Sequence, residues 1–150
     1  MSWARSNAWA GLLWPFRMIP VPPRRVFTTG RKWEAIVGYA RAVRVGPSIE
    51  ICGCAPTADD GSTVGKDVYE QTRQCLRVIG EALAGVGAGF DDVTRTRIFT
   101  TVPRRWREIG RAHAEVFGAI KPVTSLVGVR GLLDPEWLVE IEATAYRAGD

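Results

Sequence analysis

The sequence predicts an α+β fold, a single sheet covered on one face by two helices. Three observations carry that prediction. Residues 39–45, 48–54, 93–101, 123–129 and 137–146 follow or approach the two-residue alternation of strands. Residues 68–84 and a second stretch opening at Val102-Pro103 carry apolar side chains at helical spacing. The chain has 150 residues, 46% hydrophobic and 24% charged, the length and mix of one folded domain. The order ββα–βαββ over about 120 residues places both helices on one side of the sheet.

The first strand sets Ala40, Ala42 and Arg44 on one face and Tyr39, Arg41, Val43 and Val45 on the other. Gly46-Pro47 turns the chain into the second strand, so that the pair forms a hairpin. Pro56, Asp59, Asp60, Gly61 and Gly65 mark residues 55–65 as a loop. Asp67 and Glu70 form the pattern of a capping box, in which each side chain satisfies free backbone N–H groups at a helix start. Behind them Val68, Thr72, Cys75, Leu76, Ile79 and Leu83 form one stripe, and Gly85, Gly87 and Gly89 end the helix.

The second half repeats the theme. After strand 93–101, Trp106, Ile109, His113, Val116 and Phe117 form the second helix's apolar stripe, which Lys121-Pro122 breaks. Val123, Ser125, Val127 and Val129 share one side of the next strand. Following a turn at residues 132–135, the longest strand points Trp137, Val139, Ile141, Ala143 and Ala145 inward. Leu138, Glu140, Glu142, Thr144 and Tyr146 take the opposite face, which is expected to be a subunit interface with a site in it.

Composition narrows the function classes. The net charge of +4 comes from 20 cations, 17 of them arginine, interspersed with 16 acids. That reads as a mildly basic solvated surface, with no nucleic-acid partner expected. No run of about 18 apolar residues exists, so no membrane span is expected. Residues 1–25 stand apart, with Trp3, Trp9, Trp14 and four prolines, and read as an N-terminal arm or an over-long start before a domain at 26–150. They lack the cleavage site of a secretory signal. Three cysteines are too few for a disulfide framework, and a cytoplasmic location is expected. The single histidine, His113, lies on a core stripe, so neither a metal site nor a Ser/His/Asp set can be assembled. No phosphate loop or dinucleotide fingerprint appears, and no cofactor is expected.

Six segments taken together resemble the reactive intermediate deaminase (Rid, or YjgF-like) family. They are Gly38-Tyr39 leading into residues 42–46, then Cys52-Gly53-Cys54-Ala55-Pro56, residues 71–76, residues 92–99, residues 121–125 and residues 138–145. The resemblance spans roughly residues 36–147 in order. It implies a chorismate-mutase-like fold, a homotrimer, small-molecule clefts at the three subunit interfaces, and hydrolysis of enamines or imines with release of ammonia.

Such chemistry needs a carboxylate anchor, a proton donor and a held water. Glu140 matches the family residue associated with the attacking water, and Tyr39 matches a tyrosine lining the cleft. At the position of the family's carboxylate-gripping arginine this sequence has Thr124, whose hydroxyl lacks the guanidinium's fork. A non-standard substrate is therefore expected, with Arg41 or Arg44 as alternative grips. Cys52, Gly53, Cys54, Thr124, Ser125 and Leu126 are the expected substrate-binding residues beside Tyr39. Strand parity sets both thiols of Cys52 and Cys54 on one face near the cleft. Buried inert cysteine is the competing reading, and an exposed strand carboxylate is the competing reading of Glu140. A small-molecule-binding trimer without turnover, and then a ribonuclease, are the alternative functions.

Overall fold

A computed structural model describes residues 22–149. Residues 1–21, which include most of the expected N-terminal extension, lie outside the described residues. Strands β1 (Arg24–Phe27), β2 (Ala42–Val45), β3 (Ser48–Cys54), β4 (Val93–Thr100), β5 (Val123–Gly128) and β6 (Val139–Tyr146) build one six-stranded sheet. Its order is β1-β2-β3-β6-β4-β5, and every neighbouring pair is antiparallel except β4–β5. Helices α2 (Val68–Gly85) and α3 (Trp106–Phe117) cover one face, while α1 (Lys32–Val37) sits between β1 and β2 in sequence.

The expected α+β architecture is present, and β6 shows why. Val139, Ile141, Ala143 and Ala145 are all buried, and each alternate neighbour is at least partly exposed. The buried set meets Cys75, Leu76, Ile79 and Leu83 of α2 and Ile109 and Phe117 of α3 in one core. Glu70 N–H donates to Asp67 Oδ1 at 2.9 Å, but the Glu70 carboxylate reaches Lys66 N–H rather than Asp67's, so only half of the capping box forms. Gly87, at φ +76°, takes the left-handed conformation that ends α2, and the next amide closes on Leu83.

Several expectations need correction. β1 and α1 are not among the expected elements, and β1 runs from Arg24 to Phe27. The first expected strand starts at Ala42, because residues 39–41 leave α1 before the ladder begins. The last starts at Val139, leaving Trp137 in its approach. Leu138, expected beside Glu140 on the open face, packs partly against the core. α3 is preceded by a 3₁₀ turn at Pro103–Arg105, as proline at a helix start favours.

Candidate functional site

A β-bulge builds the site. Along β3 and β6, Ile51 pairs with Ala143 and Cys54 with Ile141, so β3 spends one extra residue between two matched pairs. Cys52 and Gly53 consequently both avoid the core, and Cys54 turns back into it, fully buried. The Glu140 carboxylate lies directly over Gly53, and a Cβ on that glycine would sit 2.3 Å from Glu140 Oε1. A methyl there would push the carboxylate aside. Around this contact is a cavity of about 260 Å³, lined among others by Trp33, Tyr39, Arg41, Gly53, Trp137 and Glu140.

The approach to Glu140 is pinned by one buried amide. Gln71 of α2 accepts the Leu138 N–H at 2.8 Å and donates to the carbonyls of Glu136 at 3.0 Å and Gly65 at 3.3 Å. Burial, then the charge of Glu142, push the Glu140 carboxyl above the ordinary carboxylate range, with Arg41 opposing them.

Arg41 is 5% exposed. Its Nη1 donates to Cys52 Sγ at 3.4 Å and makes a long bond to Gly53 O at 3.5 Å, and its Nη2 reaches Tyr39 Oη and Glu34 Oε1, each at 3.5 Å. Glu34, on α1, is buried and more tightly bound elsewhere, accepting from Thr29 N at 2.9 Å, Thr29 Oγ1 at 2.6 Å and Gly30 N at 3.1 Å. Burial raises the Glu34 carboxyl, but these bonds and Arg41 outweigh it and hold the group below its usual value. Hydrogen bonding with the Cys54 thiol, together with the Arg41 charge, lowers Cys52 against its desolvation. Burial pushes the Tyr39 hydroxyl up.

Of the expected residues, Glu140, Tyr39 and Gly53 converge on the cavity, with half-buried Cys52 beside Arg41. Cys54 does not. The bulge breaks the parity that placed both thiols on one face, and Cys54 joins the core. Thr124 and Leu126 do not line this cavity either. Thr124 pairs in register with Thr96, and its Oγ1 lies 2.9 Å from Thr96 Oγ1, which lies 3.0 Å from His113 Nε2 of α3. Thr124 therefore faces the helix side, and Leu126, two residues on, shares that side. Ser125 faces the open side, but β4 separates its strand from β6, about 10 Å in all. Arg44 turns away from the cavity and donates to the carbonyls of Gly46, Val86 and Arg147. Trp33, Glu34 and Trp137 were missed as site residues. Trp137 reaches the cavity because β6 begins only at Val139, which frees it from the strand alternation that points it inward, whereas α1 offers no apolar period to read.

Comparison with known proteins places this geometry in a family. Residues 29–147 match the profile named endoribonuclease L-PSP. The chain belongs to the endoribonuclease L-PSP family. Family membership agrees with the Rid (YjgF-like) resemblance, since the crystal structure of Rv2704 from Mycobacterium tuberculosis, described as a YjgF/YER057c/UK114 family member, superposes with a TM-score of 0.77. That protein is 46% identical over 83% of this chain and 100% of its own. The chain is also 39% identical to protein SCO2049 of Streptomyces coelicolor, over 83% of this chain and 92% of that one. It is 28% identical to human 2-iminobutanoate/2-iminopropanoate deaminase, over 83% and 90% of the two. No described helix of this family member is long and apolar enough to cross a membrane.

Proposed function

We propose that the chain hydrolyses an imine or enamine of a small organic acid, with Glu140 as the base that activates water. The observation that carries this reading is a half-buried carboxylate seated on Gly53 in a cavity of metabolite size, about 260 Å³. An enamine first takes a proton from solvent on carbon, and an imine takes one on nitrogen, to give the iminium. Water then forms a C–O bond to the iminium carbon while its proton passes to the Glu140 carboxylate, and the C=N π pair moves onto nitrogen. Glu140 returns the proton to nitrogen, the C–N pair leaves with ammonia, and the hydroxyl proton is released as the carbonyl forms. The name of the human relative supports the reaction class.

Three copies of the chain would assemble around such clefts, and Thr124 and Leu126 would reach a cleft only from a neighbouring copy. Ammonia release from freshly generated imines tests the reading. The wild type should turn over at least one imine, and Glu140→Gln should lower kcat by about 100-fold or more. The acid limb of the kcat profile should fall above pH 4.5, because activity is lost as the raised Glu140 carboxyl takes up its proton. Unchanged turnover in Glu140→Gln would overturn the assignment. Binding without ammonia release from any imine would instead support a binding trimer.

A further inference from the structure

We infer that Arg41 and Trp137 together grip the carboxylate of the ligand. The grip deepens the hydrolase reading, since it places the ligand in the cavity that holds Glu140. Two buried N–H groups in this molecule, Arg41 Nε and Trp137 Nε1, have no hydrogen-bond partner among the described residues. Both belong to side chains lining the Glu140 cavity. A buried unpaired donor is costly, and two in one wall call for a group that only accepts. A carboxylate is such a group, with two oxygens and no proton to give.

The remaining Arg41 contacts leave capacity for it. The three to oxygen (Gly53 O, Tyr39 Oη and Glu34 Oε1) all lie at 3.5 Å, well outside the 2.7–2.9 Å of a close charge-assisted bond. Glu34 does not saturate the guanidinium, because its shorter bonds go to Thr29 and Gly30. Trp33, Val37 and Leu133 line the same cavity and are 47%, 68% and 79% exposed, an apolar mouth. The ligand is thus a small carboxylate with a bulky apolar side chain, its acid end on Arg41 and Trp137 and its side chain toward that mouth.

Titration calorimetry with phenylpyruvate, a stable 2-oxo acid, tests the grip against its methyl ester. The wild type should bind the acid at least about 10-fold more tightly than the ester. Trp137→Phe removes one donor and keeps an aromatic ring, while Arg41→Lys keeps the charge beside Glu34 and removes Nε. Each should weaken the acid by about 10- to 100-fold and leave the ester nearly unchanged. Should Arg41→Lys fail to fold, Trp137→Phe decides alone. Equal affinity for acid and ester, or Trp137→Phe within twofold of wild type, overturns the grip. Glu140→Gln separates the two readings, since it should still bind phenylpyruvate while releasing ammonia from imines at least about 100-fold more slowly. If Trp137→Phe binds normally while Glu140→Gln is inactive, the grip falls and the base stands. If Glu140→Gln stays active while the grip variants lose the acid, the grip stands and the base falls.

Discussion

At Gly53 the backbone makes room for a carboxylate, and the cost of filling that room can be stated. Gly53→Ala sets a methyl 2.3 Å from Glu140 Oε1, so the carboxylate must swing aside by about an ångström. A shift of that size costs on the order of 100-fold in rate. We expect kcat to fall by that factor with a small change in melting temperature, checked by ammonia release and thermal unfolding on one preparation. Glu140 and Gly53 were both legible in the sequence, but as separate motifs 87 positions apart. Their contact was not, because the bulge that creates it shows no mark in a two-residue alternation. The same bulge misled the reading of Cys54. His113 was legible throughout as a satisfied helix histidine, and it bonds Thr96 against the ring of Phe117.

Among the elements, α1 escaped the sequence for a physical reason. It has six residues, and its only buried side chain is Glu34, while Trp33, Ile36 and Val37 are exposed. A helix held by a carboxylate carries no apolar stripe, so periodicity cannot find it. Glu34→Gln should therefore behave like a broken buried ion pair, leaving Arg41 without its counter-ion, and cost roughly 3 kcal/mol in urea unfolding. Because the Glu34 carboxyl is held below its usual 4.5, its contribution is complete above that pH and lost as pH falls through the folded value. The gap between wild type and Glu34→Gln should accordingly close in acid. The long elements α2, α3, β3, β4 and β6 were legible to within three residues, since each buries one regular face.

For the whole molecule, β5 is decisive. It is an edge strand, parallel to β4, and all six of its residues are exposed, Val123, Leu126 and Val127 among them. An apolar edge of this kind invites a partner surface. Light scattering at micromolar concentration should report three copies, and a stable monomer would sink the proposed assembly. The proposed assembly would also bring Thr124 to a cleft from a neighbouring copy. Thr124 was placed beside Glu140 from its motif, yet within one chain the two lie on opposite faces and two strands apart. Motif order carries no record of which copy supplies a residue.

Gln71 limits how this sequence can drift. Its side chain both accepts an N–H and donates to two carbonyls, at the run-in to the strand bearing Glu140. Glutamate has the same shape, but its second oxygen would confront the carbonyls of Glu136 and Gly65. Methionine would strand all three backbone groups. Of the side chains of this length only the amide has both polarities. The cavity wall is under no such constraint at Trp33 or Leu133, which sit on a six-residue helix and on a loop. Descendants of this chain can therefore exchange one ligand for another by changing the wall, while position 71 stays glutamine.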